Sequence, residues 1–599
     1  MDIKPKVSAE NSPLSPLHEQ YFVWMVLLIT ALTYMATMRF DFVYDDYPQI
    51  VFNPFLRAWH FVPQYFVSQV WKHMAPSTPG NYYRPVFLVL MRACYAVFAD
   101  RPFGWHLVAI GLHLLATWLT YVLVRKMTGQ FTTAWLAALI FGVHPIHHEV
   151  IAWVSATTES LFAVLFILAF LAYLKSREGS RFYWLSVSCL LYVLSLLSKE
   201  TAIVLPLLMF AHGWIVYEAP EKEGKPDISS RFRSAVIPAA LFVPVALVYL
   251  VVRNKILFGL GHSFAHVSFG AWLITLPSIL FFYVRNWFVP IGLSESYDLF
   301  YQRNLNFAHV LLPALILIAL SVAIWMLRDR IGAKPVQLAL AWIVIPLLPA
   351  LDTFVFRPDE LVHDRYFYIP SIGAAFLVAM FIERIAKTRL GLFGQPVHVV
   401  AAAFALSIVL SFISMKATGF WIDDYHLFTR AHEIAPLNAT AMNNLGATMM
   451  SRHDMVTAQA LFEEGYHRNP EDFRFGFNLG RLYYREGDYK KADFYIEQVI
   501  AQNPDLAETY VYLAQIQLKQ NQVAEAQKNL RHAVDLNPYS APFHTSYGVV
   551  LALTGDCASA NQQFEDALSL NPGDPLTTMQ MLHCRMLLSR PAASKPGEL

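Results

Sequence analysis

The chain has 599 residues, 56% of them hydrophobic and only 15% charged, with a mean hydropathy of +0.39 and a formal net charge of +1 at pH 7. This composition excludes an ordinary soluble enzyme and describes an integral membrane protein. The near-zero charge also excludes a nucleic-acid binder, which needs a concentrated basic surface to hold phosphates.

The opening stretch MDIKPKVSAENSPLSPLHEQ is too long and too mixed in charge for a signal peptide, and no small-residue cleavage site follows. The apolar run from residue 21 is therefore expected to remain as an anchor, with residues 1–20 as a cytoplasmic tail. Apolar runs of spanning length recur from there to about residue 415. Their flanking Lys and Arg, which concentrate on the cytoplasmic side, give about eleven spans. These lie near 21–39, 103–124, 131–146, 157–174, 182–198, 201–216, 235–252, 307–327, 336–351, 366–386 and 396–415. Arg125, Lys126, Lys175, Arg177, Arg231, Arg233, Arg328, Arg330, Lys334, Arg384, Lys387 and Arg389 then fall inside, and the C-terminal region falls outside. Two apolar stretches do not fit this alternation. Residues 84–100 are short and interrupted by Arg92, and residues 271–290 carry Pro277 and Arg285, so both are expected to be broken, re-entrant or interfacial.

Polar residues close to the spans collect on the outer side. Carboxylates beside hydrocarbon lose solvation, which makes Asp45 and Asp46, in VYDDYPQIVFNP after the first span, the leading candidates for a general base. Arg84 in NYYRPV, Lys199 in LLSKET and Arg365 in DRYFYIPSIG suit a phosphate at the interface, with Tyr366 beside the last of them. His144, His147, Glu159, Glu200 and Tyr83 are candidate substrate contacts on the same face. The alternative for each is an interfacial anchor or an interhelical ion pair. His144, His147, His148 and Glu149 lack HExxH or another strong ligand spacing, so no metal site and no cofactor is expected.

Past residue 420 the chain changes character. Prolines 436, 470, 504, 538 and 572 recur every 34 residues, with small residues at Gly446, Gly480, Ala514 and Gly548 and alanines at 458, 492, 526 and 560. This is the tetratricopeptide (TPR) period, in which small residues let paired helices approach closely. The expected organisation is all-α: a polytopic membrane domain over 21–416, a connecting helix over 417–438, four TPR repeats over 439–574 as an α-solenoid, and a capping helix and tail over 575–599. Such arrays hold peptides in a concave groove, or alternatively rigidify or dimerise a protein. Antiparallel pairing of the last helices would bring Cys557 and Cys584 together, where an oxidising exterior permits a disulfide.

Together with VHPIHHEVIAWVSATTESL, which carries His144, His147 and Glu159, these motifs resemble those of the C-type, polyprenyl-phosphate-dependent glycosyltransferases (GT-C), and more closely the transmembrane and TPR-containing protein O-mannosyltransferases. The resemblance implies a polyprenyl-phosphate sugar, mannose in this family, as the lipid-linked donor, and a hydroxyl of an exported protein, held by the TPR groove, as the acceptor. It implies that Asp45 or Asp46 acts as base or orients the acceptor, and that Arg365, with Arg84 and Lys199, holds the lipid phosphate. Where animal members often show Gly-Arg-Ala-Asp, this chain has Ala156-Thr157-Thr158-Glu159, keeping the acid and lacking the arginine. The compact loops and short array favour a bacterial inner membrane with the array in the periplasm over an endoplasmic-reticulum membrane with a lumenal array. Two rival readings are a non-catalytic, membrane-anchored TPR scaffold and a lipid-linked-sugar transporter. A transporter needs polar groups along a path through the bilayer, whereas here they cluster on one face.

Overall fold

Proline opens helix after helix in the membrane half. Pro85, Pro102, Pro206, Pro244 and Pro313 all stand in first turns, where the missing N–H has no intrahelical partner to lose. The computed structural model describes residues 16–74, 76, 80–217, 228–259, 267–385, 391–392 and 395–589. The first fifteen residues of the predicted tail, Lys387 and Arg389, and the chain beyond residue 589 lie outside the described residues.

Among the described residues, eight helices are long and apolar enough to cross a membrane, from Glu19–Arg39 to Val397–Gly419, and each coincides with a predicted span. The chain is a multi-pass membrane protein. The three other predicted spans depart from simple crossings. The one near 131–146 is a bent pair, Phe131–Val143 followed by Pro145–Ala152 at 49°. Pro145 disfavours the helical conformation in His144, which is extended at φ −71° and ψ 130°. The other two, Glu200–Val216 and Pro370–Ile385, are helices short of full spanning length.

At 271–290 the expected break is corrected, while the interfacial alternative is untouched. The stretch forms one unbroken 20-residue helix, Phe269–Phe288, with Pro277 inside it. Tertiary packing outweighs the hydrogen bond that proline removes: Thr275, Ile279, Phe282, Tyr283 and Trp287 are buried along its length. Its two ends meet neighbouring loops. Trp272 donates to the Leu351 carbonyl at 2.8 Å, and Asn286 donates to Asp364 at 2.9 Å. Because residues 352–363 join those two loops on one side, the helix lies across that face. The short helix Pro85–Phe98 keeps Arg92 buried, its guanidinium 4.4 Å from the centre of the Trp59 ring.

The C-terminal half is the expected solenoid. Four helix pairs run from Ala439–Ser451 with Met455–Arg468 to Ala541–Leu553 with Cys557–Leu570, preceded by Asp424–Ile434 and closed by Pro575–Ser589. The repeat glycines sit where helices touch: a Cβ on Gly446 or Gly548 would fall 2.5 or 2.6 Å from the ring of Phe462 or Phe564, and one on Gly480 would meet Ile496 at 2.7 Å. Gly480→Val is therefore expected to destabilise the second repeat by about 1–3 kcal/mol, read as faster hydrogen exchange across 473–502. Cys557 and Cys584 do come together in the core of the last repeat, where both are free thiols.

The array is fastened to the membrane half near both ends. At its start, Thr440 bonds Asp359 at 3.1 Å and Glu360 at 2.7 Å. Near its end, the Asn537 amide donates to the His73 and Met74 carbonyls at 3.2 and 3.1 Å, Tyr539 packs edge-on against Phe55 at 5.0 Å, and Arg57 meets Asn571. The repeats thus lie over the face formed by the first outer loop and residues 352–367.

Candidate functional site

After the first helix the chain is extended at Phe40 and turns sharply at Tyr44, whose φ is +53°. The turn sends the two neighbouring aspartates in different directions. Asp46 is fully buried and satisfied: one carboxylate oxygen accepts from the Ser155 N–H at 2.7 Å and the Ser155 hydroxyl at 2.6 Å, and the other accepts from the Val43 N–H at 3.3 Å. Asp45 is half-buried on the wall of a small cavity of about 90 Å³, and its carboxylate accepts no hydrogen bond among the described residues. Burial raises both carboxyls from the ordinary aspartate range to about 7. For Asp45 the neighbouring Asp46 charge adds to this and Arg365 opposes it, whereas for Asp46 the Ser155 and Val43 hydrogen bonds oppose it.

A second and larger cavity, of about 450 Å³, adjoins the first. Six residues line both: Tyr82, Arg84, Glu159, Lys199, Arg365 and Tyr366. Beyond them the larger cavity is walled by apolar groups, including Ile203, Val204, Leu250, Leu348 and Ile369. The shared wall is ionic. Arg84 holds Glu200 through two hydrogen bonds of 3.1 and 2.7 Å, Lys199 meets Glu159, and Arg365 meets Glu149, which also accepts the Arg365 backbone N–H at 3.0 Å. Aromatic rings flank the cations: Arg84 over Tyr82 at 4.6 Å, Lys199 over Tyr366 at 5.1 Å and Arg365 over Trp153 at 5.2 Å. Burial lowers the Lys199 ammonium below the usual lysine range, and Glu159 opposes that shift.

Each cation keeps unused donors. A guanidinium carries five N–H groups and an ammonium three, so pairing with one carboxylate orients the group and leaves hydrogens free for another anion. The arrangement can hold a phosphate between the cations, give an attached hydrocarbon chain an apolar wall, and present the Asp45 carboxylate to the same small cavity.

Of the residues selected from sequence, Asp45, Arg84, Glu159, Lys199, Glu200, Arg365 and Tyr366 line these cavities. Four do not. Asp46 is consumed by Ser155 and Val43. His144 is buried against helix Phe269–Phe288, stacked on Trp287 at 4.9 Å with its ring nitrogens engaged by the Trp287 carbonyl and the Ile146 N–H. His147 is buried against the Ser371 hydroxyl at 2.9 Å. Tyr83 turns away and donates to the Phe66 carbonyl at 3.0 Å. Its neighbour Tyr82 takes the cavity position, and a sequence signal existed for it: alternate residues of an extended segment share a side, so Arg84 selects Tyr82 over Tyr83. Glu149 and Trp153 were also missed. Glu149 stands beside two histidines, and nothing local pairs it with an arginine 216 residues away.

An integral membrane domain with an ionic cavity, fastened to a TPR array, is the class that fold and site define. Residues 78–226 match the family described as dolichyl-phosphate-mannose-protein mannosyltransferase, and residues 404–583 match a tetratricopeptide repeat-like domain. Along nearly its whole length the chain is similar to the transmembrane, TPR-containing protein O-mannosyl-transferases. It is 24% identical to protein O-mannosyl-transferase TMTC3 of Mus musculus, over 92% of this chain and 64% of that protein. Tmtc3 of Drosophila melanogaster is 25% identical over 86% of this chain and 62% of its own, and TMTC1 of Homo sapiens is 27% identical over 69% and 51%. The chain thus spans about two thirds or less of the length of these relatives. The first match includes Arg84, Glu149, Glu159, Lys199 and Glu200, whereas Asp45 and Arg365 lie outside it.

Proposed function

We propose that the protein is an inverting mannosyltransferase that moves mannose from a polyprenyl-phosphate carrier to a serine or threonine hydroxyl of an exported protein. The observation that carries this reading is that the Asp45 carboxylate, which accepts no hydrogen bond among the described residues, lines one small cavity together with three oriented cations, and that an apolar-walled cavity adjoins it. Asp45 takes the proton of the acceptor hydroxyl as its oxygen bonds to the anomeric carbon. The bond from that carbon to the phosphate oxygen breaks on the opposite side, and the polyprenyl phosphate leaves with the electron pair. Arg365, Arg84 and Lys199 stabilise the charge that accumulates on it. Attack opposite the leaving group inverts the anomeric configuration.

The prenyl chain runs along the apolar wall, and the TPR array holds the acceptor over the cavity. The similar O-mannosyl-transferases favour mannose as the sugar, and the absence of the family arginine at Thr157 makes donor choice the feature to test. On this reading the cavity and the repeats face the extracytoplasmic side of a bacterial inner membrane, which the basic residues flanking the spans and the compact loops support. Purified protein incubated with polyprenyl-phosphate mannose, polyprenyl-phosphate glucose and a serine- and threonine-rich peptide tests this directly. Release of lipid phosphate with peptide labelling from the mannose donor alone is the expected result. Labelling from the glucose donor instead, or from neither, would overturn the reading.

A further inference from the structure

The residue that precedes the proposed base is held by the other half of the protein. Tyr44 adopts a left-handed backbone at φ +53°, a conformation that an aromatic residue keeps only when its surroundings impose it. Three contacts impose it here. The Tyr44 N–H donates to the Asp424 carboxylate at 2.8 Å; its ring stacks on Trp153 at 5.6 Å; and the same ring meets Phe428 edge-on at 5.5 Å. One turn of chain earlier, the Asp41 N–H donates to the Ile422 carbonyl at 3.1 Å.

Asp424, Phe428 and Ile422 all belong to the segment that leads into the repeats, and that segment also reaches the phosphate side. Trp421 is buried, stacks on Trp153 at 5.9 Å and donates to His148 at 2.9 Å. His148 in turn contacts Asp364 at 3.1 Å, the residue before Arg365. A single short stretch therefore grips the backbone beside Asp45 and the support beneath Arg365.

We infer that Asp424 and Trp421 are positioning residues of the transfer site, so that the leading helix of the TPR half is part of the catalytic apparatus and not only a mount for acceptor binding. The inference rests on the reading of Asp45 as the base. Asp424 fixes where the carboxylate points by accepting from the Tyr44 N–H, on the residue that precedes Asp45. The charged groups around Asp45 are its neighbour Asp46, then Arg365, Glu360 and Arg357, with Arg84, Glu159 and Lys199 on the same cavity wall, and a loop released from Asp424 would move Asp45 relative to those on the other elements.

Two measurements on the full-length protein test this. Without any donor, hydrogen exchange in a peptide covering 41–47 is expected to quicken at least tenfold in Asp424→Ala and to stay near the original rate in Asp424→Asn, whose side-chain oxygen still accepts from Tyr44. With polyprenyl-phosphate mannose and peptide acceptor, Asp424→Ala is expected to lose at least tenfold in kcat, to keep donor KM within twofold, and to move the rising limb of its pH profile. Asp424→Asn is expected to recover most of kcat. Asp454→Ala removes a helix-capping bond of the same kind to Thr457 in the first repeat and is expected to change neither readout. Unchanged exchange and kcat in Asp424→Ala, or equal losses in the Ala and Asn variants, would overturn the inference. A wild-type protein that turns over no donor while the exchange results hold would instead overturn the proposed function and leave the structural support of the loop standing.

Discussion

Asp45→Asn is expected to lower kcat for transfer by a factor of about 10²–10⁴, the usual contribution of a positioned general base, while donor binding stays close to normal. The amide is nearly the same size, so the cavity keeps its shape, and the Asp45 carboxylate accepts no hydrogen bond among the described residues whose loss would confuse the result. Asp46→Asn should behave differently. Its carboxylate accepts three hydrogen bonds, and an amide would turn an N–H₂ group toward either Val43 or Ser155, both of which donate. The cost is about 1–3 kcal/mol of stability, with a smaller loss of rate. The opposite pattern, activity lost at Asp46 and retained at Asp45, would reject the assignment.

The pH dependence follows with its sign. A base must be unprotonated to act, so kcat/KM is expected to rise with pH through about 7, where Asp45 ionises in the free protein. The donor phosphate adds negative charge nearby and moves the corresponding limb of kcat to higher pH. Stability runs the other way. Asp46 has a folded-state value of about 7 against an ordinary value of 3.8, so the folded state holds its proton more tightly than the unfolded state does. That contribution is complete below about pH 4 and is lost as the pH rises through about 7. A melting temperature that falls between pH 5 and 8 less steeply in Asp46→Asn than in the original protein is the matching observation.

Arg365→Met is expected to abolish transfer and also to destabilise the membrane half, by about 3–5 kcal/mol, because it leaves the Glu149 carboxylate buried without its partner. The two effects can be separated. Replacing Glu149 as well, in Arg365→Met/Glu149→Leu, removes the uncompensated charge, so the double variant should regain much of the lost thermal stability and none of the transfer. Recovery of activity in the double variant would mean that Arg365 serves only to neutralise Glu149. Failure to recover stability would mean that the pair is not the coupled unit that its geometry describes.

The spans and the repeats were legible because their signals are local. A helix of about 20 apolar residues is what hydrocarbon thickness demands, and a 34-residue period needs only counting. Helix Phe269–Phe288 shows where local reading stops. Pro277 predicts a break, and packing along a continuous buried face overrides it. The histidines show the same limit from the other side. A His-Pro end of a span looks like a surface turn, yet helix Phe269–Phe288 folds over it and seals His144 beneath Trp287. Tyr82 differs, since the alternation of an extended strand could have chosen it correctly.

The sequence by itself determined that this is a membrane protein with an acidic pair, three cations near its spans and a four-repeat array. Span length, charge asymmetry and repeat period are properties of contiguous residues, and each follows from solvation or from helix geometry alone. Only the tertiary structure decided that Asp45 faces the cavity while Asp46 is tied to Ser155. It also joined Arg84 to Glu200, Lys199 to Glu159 and Arg365 to Glu149 across 116, 40 and 216 residues. The physical reason is that a buried charge takes whichever partner the fold brings within hydrogen-bond reach. Distance along the chain carries no record of that choice.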